Sequence, residues 1–329
     1  ACLHQSPKCQ PCDPRPAKAD ATMTWHMTDT PRSSLTTGLL LAVFGAIAFS
    51  GKAIIVKLAY RHGVDAVTLI MYRMLFALPL FLLMAWWAER QPSARAQPLT
   101  RSDMLGIGAL GFTGYYLSSY LDFVGLQYIS ASLERLILYL NPTLVMVLSW
   151  FIFKKPLQPL RVVAMAISYS GVLLVFGHEV SLSGAEVALG AFWVFLSALT
   201  YAGYLIYSGQ LVQRVGSLRL VGWATTVACL CCILQFLLVR PLSAADVPSA
   251  VLWLSALNAV ACTVAPVLMV MMAIERIGPA LTSQTGMIGP MSTIALGVLV
   301  LDEPLNAWIG MGTLLVLGGV FMVSKYGAK

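Results

Sequence analysis

Charge is what this chain lacks. Only 11% of its 329 residues are Asp, Glu, Lys or Arg, against about 25% in a soluble domain, and 58% are apolar. A water-facing surface cannot be built from that composition, so the expected class is an all-α, multi-pass membrane protein. Histidine is equally scarce: four residues, all expected in the tail or loops, give no catalytic or metal constellation. The seven cysteines make no disulfide framework. Cys229, Cys231, Cys232 and Cys262 lie in apolar runs, where cysteine acts as a small hydrophobe. Cys2, Cys9 and Cys12 give a CxxC-containing tail beside His4, but not a set of four zinc ligands. No cofactor and no metal are therefore expected. The formal charge of +7 does not point to nucleic acid, because the basic residues sit in short runs between apolar segments, without interleaved aromatics.

What is abundant is apolar sequence in lengths of about 20 residues, the span of a bilayer core. Ten candidate spans follow: 37–58, 66–88, 104–126, 131–153, 159–177, 188–209, 219–239, 250–274, 279–301 and 306–324. Lipid offers backbone groups no partner, so each is expected to be helical. Residues 1–36 read as a disordered cytoplasmic tail, with Met23 or Met27 as the expected start of the chain. With the N-terminus inside, fifteen Lys and Arg fall on the cytoplasmic side and two, Arg61 and Arg240, outside. Basic loops stay inside, so both termini are expected in the cytoplasm and the protein in the cytoplasmic (inner) membrane.

The stretch from Ala131 to Val175 returns without a gap 148 residues later. Pro142 falls on Pro290, Pro156 on Pro304 and Gly171 on Gly319. Prolines and glycines at equal spacing mark equal backbone events. Lys154-Lys155 before the second proline becomes Asp302-Glu303, and an offset of five spans inverts the copy. A weaker match places Gly38, Ala46, Gly51 and Ile54 on Gly190, Ala198, Gly203 and Ile206. Two inverted five-helix repeats, 37–177 and 188–324, are expected, an architecture of secondary transporters with substrate at the midplane.

These residues resemble the drug/metabolite transporter superfamily, specifically its ten-helix EamA-type members. The resemblance rests on the doubled pattern of mid-span proline, polar turn (KKP, DEP) and Gly-bearing helix. It rests also on Arg73 after GVDAVTLIMY, and on the Ala46–Gly51 and Ala198–Gly203 spacing. It covers 37–324; the Gly-Glu that often follows helices 4 and 9 is kept only as Glu303. It implies a metabolite carrier with a central cavity lined by helices 1, 3, 4, 6, 8 and 9.

Ionisable groups at midspan cost at least about 2.5–3.5 kcal/mol and are functional candidates. Lys52, Lys57, Arg73, Asp122, Glu134 and Arg135 lie within the spans and sum to about +2, which would favour an anionic or zwitterionic substrate. For Lys57, Asp122, Glu134 and Arg135 the alternative is snorkelling or mutual pairing. Lys52 and Arg73 are expected as gating or structural groups. Pro142 and Pro290 are expected to kink helices 4 and 9, to free the carbonyls of Leu138 and Gly286, and to face each other across the site. Glu134, Tyr139 and Asn141 on helix 4, Tyr116 and Tyr120 on helix 3, Tyr201 and Tyr204 on helix 6, Asn258 on helix 8 and Gln284 on helix 9 complete the expected substrate site. Gly114 and Ser118 give close-packing spacing.

The expected function is secondary transport of a small organic metabolite, of amino-acid or organic-anion type, by alternating access. Proton coupling, where present, falls to Glu134 or Asp122. The expected partners are that substrate and the bilayer, with the chain a monomer or homodimer. An intramembrane enzyme would need a nucleophile and base, or metal ligands, at one depth, and none is found. GAIAFSGK at Gly45–Lys52 imitates a P-loop, but its spacing is one residue too long and Ala53 replaces the Ser or Thr. A non-transporting sensor or scaffold is the alternative; it would ordinarily carry an effector domain, and the longest loop is about 15 residues.

Overall fold

The computed structural model describes residues 32–92, 97–154, 159–286, 288–304 and 306–326. The tail cysteines, Lys155, Pro156 and Leu305 lie outside them, as do the side chains of Gln284 and Pro290. Among the described residues there are helices and no strands. They are α1 (Arg32–Tyr60), α2 (Ala66–Arg90), α3 (Arg101–Leu110), α4 (Ser118–Gly125), α5 (Ala131–Leu138), α6 (Asn141–Phe153) and α7 (Pro159–Ser183). They continue as α8 (Ala185–Val215), α9 (Ser217–Val239), α10 (Ser249–Ala259), α11 (Ala265–Thr285), α12 (Ile288–Leu301) and α13 (Ala307–Tyr326). Wider π-helical turns, Gly111–Leu117 and Val260–Val264, join α3 to α4 and α10 to α11.

Among the described residues, seven helical stretches are long and apolar enough to cross a membrane, α5 and α6 counting together as Ala131–Phe153, and Met291–Leu301 and Ala307–Met322 are shorter apolar helices. Large apolar side chains cover the outside, among them Leu105, Phe151, Trp253, Leu299 and Leu314. Such a surface is stable only against hydrocarbon. The molecule is an all-helical, multi-pass membrane protein.

The sequence repeat reappears in the backbone. Only two non-glycine residues among those described take positive φ, Lys154 (51°) and Asp302 (59°), and they are equivalent positions of the repeat. The two π segments are equivalent, and so are the helix breaks at Tyr139–Leu140 and beside Gly286. Contacts between the halves are exchanged in the same way. Helix α1 packs on α11 and α12, and its counterpart α8 packs on α4 and α6. Gly38 lies against Arg276 and Ile277, and Gly190 against the equivalent Tyr128 and Ile129. Helices α7 and α13 cross where Gly171 meets the Gly312 carbonyl and Gly319 meets that of Ala164.

Three expected boundaries shift. Residues Ala265–Thr285 are helical, including the 275–278 stretch read as a loop. The neighbours of α1 run from Cys262 beside Gly51 to Ile277 beside Gly38, then back to Gly289 beside Ser50, so the chain reverses between Ile277 and Gly289. Helix 4 is broken at Tyr139–Leu140, ahead of Pro142. Pro142 occupies the first turn of α6, where the missing N–H is tolerated. Helix α7 extends past 177, so His178 is helical rather than in a loop, stacked on Trp308 at 5.6 Å.

Helix α2 shows how an end is fixed. Asp65 is its N-cap, accepting from the backbone N–H groups of Val67 (3.0 Å) and Thr68 (3.3 Å) and pairing with Arg240 at 3.0 Å. Burial opposes the charged carboxylate, but the Thr68 hydrogen bonds, then Arg240, outweigh it and hold Asp65 below its ordinary value of 3.8. A depressed carboxyl stabilises fully above that value and loses the contribution as pH falls from there through its lower folded-state pKa. Asp65→Ala is expected to cost about 1 kcal/mol at pH 7. The loss should shrink on acidification below 3.8; thermal melting in detergent against pH measures it.

Candidate functional site

A cavity of about 330 Å³ lies at the centre of the helices, walled by α1, α2, the π turn and α4, α5, α8, α9 and the turn into α11. Its floor of charge is built by three helices. Lys52 of α1 donates to Asp122 of α4 at 2.5 Å and stands 3.5 Å from Glu134 of α5, which lies 3.8 Å from Arg135. Asp122 and Glu134 are buried, at 2% and 0% exposure. Two cations thus answer two carboxylates, and the quartet is neutral. Arg73 of α2 adds one positive charge. It donates to Ser119 Oγ at 3.2 Å, lies over the Phe123 ring at 4.7 Å, and its Nε has no partner. No carboxylate among the described residues stands within 4.0 Å of it.

Opposite the charges is an aromatic wall. Tyr115 packs edge-on to Tyr204 at 5.0 Å with their hydroxyls 3.2 Å apart, and Tyr201 stacks on Tyr204 at 5.5 Å. Gly114 lies against the Tyr204 ring, which leaves no room for a side chain there. Ser118 and Ser197 hydroxyls meet at 3.1 Å, and Ser197 donates to the Ser118 carbonyl at 2.7 Å.

The cavity therefore brings together Lys52, Arg73, Tyr139, Asn141 and Tyr201 of the expected site, with Asp122 and Arg135. Glu134 sits one shell out, through Lys52 and Arg135. Tyr204 supports Tyr115 and Tyr201. Tyr116 and Tyr120 do not line the cavity and pack with the apolar core beside α2. Helix periodicity is the reason: Tyr115 stands seven residues, two turns, before Asp122 and shares its face with Ser118 and Ser119, whereas Tyr116 and Tyr120 fall on other faces. Asn258 is buried away from the cavity, its carbonyl accepting from Thr263. Pro142 is exposed and does not face the cavity. Lys57 leaves the expected charge cluster for a separate cleft with Arg61, Ser130 and Glu303.

Sequence reasoning missed Tyr115, Ser119, Ser197 and Thr225. Ser118 and Ser197 carried a faint signal as small polar residues on glycine-rich faces; Tyr115 carried a periodic one, seven residues before Asp122 on the same helix face. It also missed what Glu303 does. Its carboxylate accepts from the N–H groups of Ala131 (2.7 Å) and Ser132 (3.3 Å) and from Ser132 Oγ (2.7 Å). An anion at a helix N-terminus is stabilised by the peptide dipoles. The acidic turn therefore has a local cause besides its expected side of the membrane.

Tyr139 and Arg135 form a partition. Tyr139 donates to the Gly286 carbonyl at 2.9 Å and Arg135 to that of Phe49 at 3.3 Å. Behind them lies a second cavity of about 310 Å³ reaching Ser50, Gly286 and Gly289. The carbonyl four residues before Pro290 thus has its partner across the site, from the other half.

Sequence comparison defines the class. The sequence pattern of the EamA-like transporter family matches residues 36–177 and again 188–325, and the chain belongs to that family. The uncharacterized transporter YcbK of Bacillus subtilis (strain 168) is 32% identical over 293 residues, covering 87% of this chain and 91% of YcbK. The uncharacterized transporter YoaV of the same organism is 20% identical, covering 75% and 82%. A protein of known crystal structure aligns with a TM-score of 0.58 at 16% identity, over 88% of this chain and 96% of its own, a likeness of fold alone. The relatives are transporters by name, and the chain is a membrane protein of a transporter family.

Proposed function

We propose that this protein is a secondary transporter of a small organic metabolite, of amino-acid or organic-anion type, in the cytoplasmic membrane. In this reading ten helices form two inverted halves, 37–177 and 188–324, with both termini in the cytoplasm. The halves rock about the central cavity, and the partition of Tyr139 and Arg135 opens to one side as the cleft around Glu303 closes on the other. The observation that carries the reading is the position of the cavity. It lies beside the helix break at Tyr139–Leu140, whose Tyr139 hydroxyl reaches the Gly286 carbonyl at the matching break, and broken helices at the midplane are a transporter feature. The work done is binding and passage.

Glu134 is the proton site in this account, a carboxylate at 0% exposure whose oxygens lack hydrogen-bond partners and which faces Lys52, Arg135 and Asp122. Glu134→Gln is expected to abolish acceleration by a pH gradient in proteoliposomes while leaving counterflow at equal pH; unchanged gradient dependence refutes the coupling. The reading itself is tested by counterflow of labelled metabolites into liposomes carrying the purified protein. Accumulation above protein-free liposomes supports it, and binding without movement would assign the chain to sensing instead.

A further inference from the structure

Arg73 is an anomaly among the buried ions. Lys52, Asp122, Glu134 and Arg135 answer one another across 2.5 to 3.8 Å. Arg73, at 3% exposure, has a neutral hydroxyl, an aromatic face and an unpartnered Nε. A buried charge without its opposite is strongly destabilising, and a guanidinium presents a planar fork of donors that fits a carboxylate. Arg73 lines the cavity. Among the described residues no carboxylate pairs with it, and the cavity leaves room for one to arrive from outside.

The remaining walls limit what the anion is attached to. Phe49, Met74, Phe81, Leu138 and Val267 line the same space. The Asp122 carboxylate has a free oxygen, Oδ1, but its charge is already answered by Lys52 at 2.5 Å. One unanswered positive charge in an otherwise neutral, largely apolar cavity is matched by one negative charge. A zwitterion would leave the excess in place.

The geometry points to a substrate class: we propose that the cavity takes an organic monocarboxylate with an apolar or aromatic body, its carboxylate held by Arg73 and Ser119. The inference rests on the transport-site reading for its meaning, but it is a statement about binding and is tested separately. Arg73 becomes a ligand rather than a packing group, and an amino acid becomes a poorer fit than the acid without its ammonium.

The test is calorimetric titration of the purified full-length protein with 3-phenylpropionate, its primary amide, phenylalanine and phenethylamine. The acid should bind about tenfold to hundredfold more tightly than the amide, the value of hydrogen bonds to a charged group. Phenylalanine should bind more weakly than the acid, and phenethylamine not detectably. Arg73→Gln should remove the preference for acid over amide. If that variant does not fold, Arg73→Lys keeps the charge without the fork; it should weaken the acid about tenfold while still preferring it to the amide. Equal affinity for acid and amide, tightest binding of phenylalanine or the amine, or no binding of the acid overturns the proposal. Counterflow with labelled 3-phenylpropionate separates the two readings. Acid-selective binding without counterflow sinks transport and leaves the carboxylate site standing, and counterflow of a neutral or cationic compound does the reverse.

Discussion

Gly319→Leu should leave no folded protein in the membrane, whereas Gly318→Leu, one residue away, should accumulate normally. A Cβ at Gly319 would meet Ser168 Oγ and stand 2.5 Å from the Ala164 carbonyl, and one at Gly318 would meet nothing within 4 Å. The obstacle at Gly319 includes backbone of α7, so relief requires α13 to move away from it. Overpacking a core site costs about 1–3 kcal/mol even where side chains can shift. Here the α7–α13 crossing is the extensive contact of those helices, and separating it forfeits far more. The smaller changes give the sign test: Gly318→Ala should be neutral or stabilising by up to about 1 kcal/mol from helix propensity, and Gly319→Ala destabilising. Size-exclusion profiles and thermal melts of the four variants report the result. Because a Cβ at Gly171 would stand 2.6 Å from the Gly312 carbonyl in the equivalent arrangement, Gly171→Leu should fail in the same way.

Lys52→Met is expected to be the most damaging change in the cavity. It removes the partner of Asp122 and the nearer partner of Glu134, leaving one cation, Arg135, 3.8 Å from Glu134. Breaking a buried pair by deleting one member costs about 3–5 kcal/mol, because the survivor stays charged in low dielectric. Deleting both members removes that penalty. The double variant Lys52→Met/Asp122→Asn should therefore recover most of the lost stability. The cycle should give a coupling of about 2–3 kcal/mol, well beyond the additivity of distant sites. Additive losses would mean that the three helices are held by packing and the charges merely tolerated. Since Asp122 also lines the cavity, recovered folding should not restore substrate affinity.

The fold was legible because membranes impose few choices. Apolar length gave the all-helical, multi-pass class, and the Pro142/Pro290 and Gly171/Gly319 matches gave the doubling that recurs in the backbone at Lys154 and Asp302. The site was legible where an ion had no other reason to be in an apolar run, as at Lys52, Arg73, Asp122 and Glu134. It was less legible on helix 3, where Tyr116 and Tyr120 stand out by residue type but do not share the face of Asp122; Tyr115, two turns before Asp122, is the helix 3 tyrosine that lines the cavity. Pro142 misled for a related reason: a proline marks a break, but as the first turn of a new helix it points outward and leaves the bond across the site to Tyr139. Glu303 was read as a topology marker, and its capping of α5 required knowing which helix end stood beside it.

The central claim is that the cavity holding Arg73 and Ser119 is reached in turn from both faces of the membrane. Ser119→Cys, in a chain with all seven native cysteines replaced, places a thiol on the cavity wall. Membrane-impermeant maleimide applied to oriented vesicles, first outside and then inside, reads its access. The account predicts modification from either face, each slowed by saturating 3-phenylpropionate. Modification from one face alone, however long the exposure, would contradict it.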